Sequence, residues 1–247
     1  MSLPRTARRS LFALGAGAAL AGCATPVRIA AVPRGRALSA TVLGLPNERF
    51  YPSLGNGPLE AEVMATLTRG QAFRGAVPGG QPLALNLLAI SGGGENGAFG
   101  AGLLGGWSEQ GSRPGFDLVT GVSTGALTAP FAFLGPAYDG ALRDVYTNIT
   151  ARDVLIQRWL TAAVFDDGLA DNTPLLTTIG RHLDDAMLAN IAKGYREGRM
   201  LLIGTTNLDA QLPVIWNIGA IAASGHPGAP DLVRRILLAS AAIPGAV

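Results

Sequence analysis

The sequence predicts an α/β fold with a mainly parallel central sheet flanked by helices, and three observations predict it. Leu83–Ile90 (LALNLLAI) is an apolar run with turn signals on either side, the pattern of a strand buried on both faces of a parallel sheet. A glycine-rich turn and a helical stretch follow it directly. Phe116–Val122 (FDLVTGV) then repeats the sequence of strand, sharp turn and helix. Such a βαβα order belongs to the α/β class.

The elements are justified in chain order. Arg5, Arg8 and Arg9 precede the short apolar run Leu11–Leu20, which is too short to span a bilayer comfortably. Leu20-Ala21-Gly22-Cys23 follows, and Cys23 is the only cysteine. The whole resembles a bacterial lipoprotein signal, cleaved before Cys23, with Cys23 lipidated. Arg8-Arg9-Ser10-Leu11-Phe12 also resembles a twin-arginine signal. The expected organisation is a signal peptide over 1–22, a linker and N-terminal extension over 23–80, and a catalytic domain over 81–247. Within the extension, Leu59–Thr68 reads as a short helix.

In the catalytic region, Ser91–Gly97 is a tight turn and Ala98–Gln110 a helix rich in small residues. Thr124–Leu134 is the helix after the second strand. Asp139–Thr147 and Thr173–Ala192 follow as helices, the latter opened by Thr173-Pro174. Met200–Thr206 and Leu212–Ile218 are strands joined around Asn207-Leu208-Asp209-Ala210, and Asp231–Ala239 is a helix.

Composition narrows the function. Only 15% of residues are charged against 48% apolar, which suits a folded core and excludes a disordered chain. The signal removes three arginines and no acid, leaving 16 basic and 17 acidic side chains. No basic patch remains to bind nucleic acid. A single cysteine excludes an internal disulfide.

Two motifs carry chemistry. Gly121-Val122-Ser123-Thr124-Gly125 lies between a strand and a helix. A serine there sits on a strained turn with its hydroxyl above the sheet edge, ready to act as a nucleophile. Gly121 and Gly125 let the backbone segments of the turn approach closely. The second motif is Gly92-Gly93-Gly94-Glu95-Asn96-Gly97, whose backbone N–H groups can converge on a phosphate or on a tetrahedral oxyanion. Gly92, Gly94 and Gly97 also match the dinucleotide fingerprint G-x-G-x-x-G. That reading needs an acidic residue at the end of the next strand. Asp117 stands at the start of that strand, and Ser123 occupies its end.

A glycine loop about 30 residues before a GxSxG elbow resembles the patatin-like phospholipase family. The resemblance extends to Ala239-Ser240-Ala241-Ala242-Ile243-Pro244-Gly245, similar to that family's A-S-x-A-x-P segment. It implies a three-layer patatin-like fold and a serine acyl hydrolase working through a Ser–Asp dyad. Ser123 is then the nucleophile, and Gly92, Gly93, Gly94 and Gly97 form the oxyanion loop. No metal or organic cofactor is implied. The substrate is a phospholipid or another acyl ester, met at a membrane to which Cys23 anchors the protein in the bacterial cell envelope.

Two departures stand out. Asn96 occupies the place where the family's loop usually has Arg or Lys, and it is a candidate neutral donor. The family's Asp-Gly-Gly or Asp-Gly-Ala segment has no counterpart after Pro244. The expectation is therefore a C-terminally truncated domain with little activity as written, the full-length form being the hydrolase. Asp166, Asp167 and Asp171 are read as loop and capping residues, and His182 and His226 as structural or surface histidines. The alternatives are a non-catalytic lipoprotein that keeps the fold, and a nucleotide-binding domain using the glycine loop.

Overall fold

The computed structural model describes residues 30–75, 84–148, 156–157, 170–171 and 173–242. Cys23, Asp166, Asp167 and Pro244 lie outside the described residues.

The described strands are β1 (Arg49–Phe50), β2 (Leu87–Ile90), β3 (Leu118–Val122), β4 (Ile156–Gln157), β5 (Ala170–Asp171), β6 (Met200–Asn207) and β7 (Leu212–Asn217). The described α-helices are α1 (Gly57–Arg74), α2 (Gly97–Glu109), α3 (Thr124–Leu134), α4 (Asp139–Thr147), α5 (Thr173–His182), α6 (Asp185–Arg196), α7 (Ile218–Ala223) and α8 (Ala229–Ala241). Five strands form one mixed sheet in the order β1-β7-β6-β3-β2. Its centre is parallel: β3 pairs with β2 on one side and with β6 on the other. β6 and β7 make an antiparallel hairpin, and β1 adds antiparallel to β7. β4 and β5 pair separately.

The parallel centre explains the apolar runs. Val119, Leu201 and Ile203 have no exposed surface at all, because helices cover the sheet where β3 and β6 meet. α3 packs over β3, and α8 lies beside it over β6. Ala126, Ala129 and Phe133 of α3 join Val233, Ile236 and Leu237 of α8 in one apolar cluster.

Four elements depart from the sequence expectation. β2 is shorter than Leu83–Ile90 and is not buried on both faces. It is the sheet's edge among the described residues, and its side chains alternate between exposed Leu87 and half-buried Leu88. Pairing begins only at Leu87, opposite Leu118, because Asn86 ties down the loop before β3 through Asp117 and Gly115. Thr173–Ala192 is two helices rather than one. Asp184 breaks it, adopting extended backbone and accepting from the Met187 N–H at 2.7 Å to cap α6. α1 is longer than Leu59–Thr68. Polar contacts hold it, with Glu62 bonded to Arg69 and Tyr195, and Arg74 paired with Asp117. Asp171 lies in a strand rather than a loop, opposite Ile156 in β5.

No described helix is long and apolar enough to cross a membrane.

Candidate active site

The site is built at the C-terminal ends of the parallel strands. β3 ends at Val122, and α3 begins at Thr124. Ser123 is the single residue between them, with φ +56° and ψ −128°. A non-glycine residue at positive φ is strained by about 1–3 kcal/mol, and such strain persists only where the surroundings enforce it. Here they do. The Ser123 carbonyl accepts from the Ala126 N–H at 2.9 Å, joining it to the first turn of α3. The Ser123 N–H donates to Ser240 Oγ at 3.0 Å. The hydroxyl of Ser123 makes no capping bond to α3 and has no hydrogen-bond partner among the described residues.

The elbow closes because Gly121 and Gly125, two residues either side of Ser123, lack side chains. A Cβ on Gly121 would run into the Gly125 carbonyl, and one on Gly125 into the carbonyls of Ile90 and Ser91. The turn therefore packs directly on the end of β2, where the glycine loop begins.

The loop lies against the nucleophile. A Cβ on Gly92 would stand 2.7 Å from the Ser123 Cβ, so the two motifs touch through this glycine. Gly93 and Gly94 form the turn beyond it, which the Asn96 N–H closes by donating to the Gly93 carbonyl at 3.0 Å. Gly97 opens α2 and faces Thr124 and the Tyr146 hydroxyl, either of which a Cβ would crowd at about 3 Å. Gly97 thus seats α2 on α3. Asn96 is exposed.

Two residues not singled out by the sequence support the site. Tyr146 places its hydroxyl 2.8 Å from Thr128 Oγ1 and 3.2 Å from the Thr124 carbonyl, bracing the first turn of α3. Burial pushes its phenol above the ordinary tyrosine value, despite the hydrogen bond with Thr128, so it stays a neutral donor at physiological pH. Ser240 donates its hydroxyl to the Gly204 carbonyl at 2.6 Å while accepting from Ser123. No sequence signal marks Tyr146. Ser240 lies in the recognised segment, but its partners are far away in sequence.

The other candidates lie elsewhere. Asp117 precedes β3, a strand's length from the loop, and is committed to Arg74 at 2.6 Å and to the Asn86 N–H at 2.9 Å. It cannot serve a ribose at the glycine loop. His226 Nδ1 accepts from the Gly228 N–H, and His182 packs edge-on to Phe131, so both are structural. Among the described residues no group of His, Cys, Asp or Glu could hold a metal ion.

The arrangement can do one kind of chemistry. It presents a strained serine hydroxyl, unpaired among the described residues, at a helix N-terminus, whose positive end favours developing negative charge. A loop of backbone N–H groups stands beside it.

Comparison with known proteins adds one match. The family model described as patatin-like phospholipase matches residues 88–247, which include both glycine motifs and Ser240. No curated protein and no solved structure matches the chain.

Proposed function

The chain belongs to the patatin-like phospholipase family, a family of lipid acyl hydrolases, and from that premise we propose that it cleaves acyl esters with Ser123 as the nucleophile. The observation that carries the reading is the backbone of Ser123, held at φ +56° between β3 and α3 with Gly92 packed against it.

In this mechanism a carboxylate from outside the described residues takes the Ser123 proton. The oxygen attacks the ester carbonyl, and negative charge moves onto the carbonyl oxygen. The N–H groups of Gly93 and Gly94, with the Thr124 N–H at the start of α3, receive that charge. Removing one such donor in a hydrolase costs about 3–4 kcal/mol of transition-state stabilisation. The alcohol leaves with a proton, and water then releases the acyl group from Ser123. Among the described residues no carboxylate bonds Ser123 Oγ, and a serine without a base is a weak nucleophile. Attachment to the cell envelope through a lipid on Cys23 would hold the enzyme where lipid esters are concentrated.

Fluorophosphonate labelling of the full-length protein tests the reading. Labelling that vanishes in Ser123→Ala is the expected result. A folded full-length protein that does not label would leave the second reading, a lipoprotein that keeps the fold without the chemistry. The observation that favours it is that Ser123 Oγ has no hydrogen-bonded base among the described residues.

A further inference from the structure

We propose that Ser240 is a positioning residue for Ser123, a peg between α8 and β6 that holds the nucleophile's backbone in its strained elbow. The inference rests on the hydrolase reading for its catalytic consequence, but its geometry stands apart from that reading.

A carbonyl oxygen only accepts, so the single proton of Ser240 Oγ must point to Gly204 O, 2.6 Å away. A lone pair is then left facing Ser123, whose N–H donates into it at 3.0 Å. Each of the three groups has one role it can play, and the order of donors is fixed. The hydroxyl is 9% exposed at residue level, so water does not readily replace either bond.

The bond is also not the one its position favours. A serine late in a helix commonly bonds back to the carbonyl four residues earlier. Ser240 sits in the last turn of α8 and reaches instead to a residue 117 positions away. Gly204 pairs directly with Val122 in the sheet register, so the peg spans β6 and the residue after β3 at the point where β3 ends.

Two consequences follow for the chemistry. The Ser123 N–H is spent on Ser240 and is not an oxyanion donor, which leaves that task to the loop and to Thr124. Loss of the peg frees the backbone at a position that prefers to relax out of positive φ. The hydroxyl would then drift from its attack position, and a displacement near 1 Å can cost about 100-fold in rate. Such a change lowers kcat and leaves KM in place, because Ser240 touches no substrate.

The experiment compares wild type, Ser240→Ala and Ser240→Thr in the full-length protein, with two readouts. Amide hydrogen exchange of Ser123 reports the hydrogen bond whether or not the protein is a hydrolase. Expected is exchange about 10-fold faster or more in Ser240→Ala, with Val119 and Leu201 unchanged and protection restored in Ser240→Thr. Hydrolysis of a soluble acyl ester reports the positioning. Expected is kcat lower by about 10- to 100-fold in Ser240→Ala, KM within about twofold, and recovery in Ser240→Thr. Unchanged Ser123 exchange in a folded Ser240→Ala protein overturns the peg. Faster exchange with an unchanged kcat overturns its catalytic role. If wild type hydrolyses nothing and does not label, the hydrolase reading falls, and the exchange result alone decides whether Ser240 holds Ser123.

Discussion

At Gly125 the space for a side chain is occupied by the carbonyls of Ile90 and Ser91, and at Gly121 by the carbonyl of Gly125. Neither obstacle is the flexible end of a side chain, so neither can swing away. Gly125→Ala and Gly121→Ala should each lower folding stability by about 2–3 kcal/mol, measured by urea denaturation, and should abolish labelling even where the protein still folds. A Gly121→Ala protein with wild-type stability would show that the elbow is looser than described. Ser123 and these two glycines were legible in the sequence because the elbow is a local motif whose spacing follows from backbone geometry. Gly92 was legible as a loop residue, but its contact with Ser123 was not. Ser240 and Tyr146 act through hydrogen bonds spanning 117 and 22 positions. No periodicity or spacing encodes bonds of that reach.

Among the elements, β3, β6, α3 and α8 follow their apolar patterns closely, because each buries a continuous apolar surface in one core. α1 was underestimated because its attachment is polar. Glu62, Arg69, Tyr195 and Asn47 form the joint, with the Arg69 guanidinium also stacked 4.1 Å over the Tyr195 ring. Burial alone would push the Glu62 carboxyl up. The hydrogen bonds from Arg69, Tyr195 and Asn47 and the charge of Arg69 outweigh burial and hold it below the usual carboxylate range. A carboxyl depressed on folding contributes stability above its unfolded pKa and loses it as pH falls through the folded value. Wild type should therefore lose stability faster than Glu62→Gln on acidification below about pH 4, followed by thermal melts across a pH series. Parallel curves would mean that the joint carries no net charge effect. At neutral pH, Glu62→Ala should cost about 2–4 kcal/mol, since it strands the Arg69 charge in a half-buried place.

For the molecule as a whole, one side of the sheet is well closed and the other is open among the described residues. β1 covers the β7 edge, with Arg49 lying between the Tyr51 and Trp216 rings at about 5.5 Å from each. At the opposite edge Leu87 is 63% exposed, and Phe99 and Leu103 on neighbouring α2 are 76% and 58% exposed. An unpaired apolar edge invites association with another chain. Leu87→Lys should raise the concentration at which the protein remains monomeric in light scattering, with little change in its melting temperature. The proposed attachment through Cys23 also belongs at this scale. Among the described residues the first buried apolar one is Ala37, so a tether from Cys23 to it would reach at most about 50 Å. Cys23→Ser should move the protein from the membrane to the soluble fraction on cell fractionation, and retention in the membrane would refute the anchor.

The bond from Ser240 to Ser123 also sets a timetable. A ribosome adding about 5–20 residues per second needs about 6–23 s to make the 117 positions that separate them. Over that interval the growing chain carries both glycine motifs, but nothing yet supports the backbone N–H of the serine. The strained elbow is thus completed only once the chain has been made as far as Ser240.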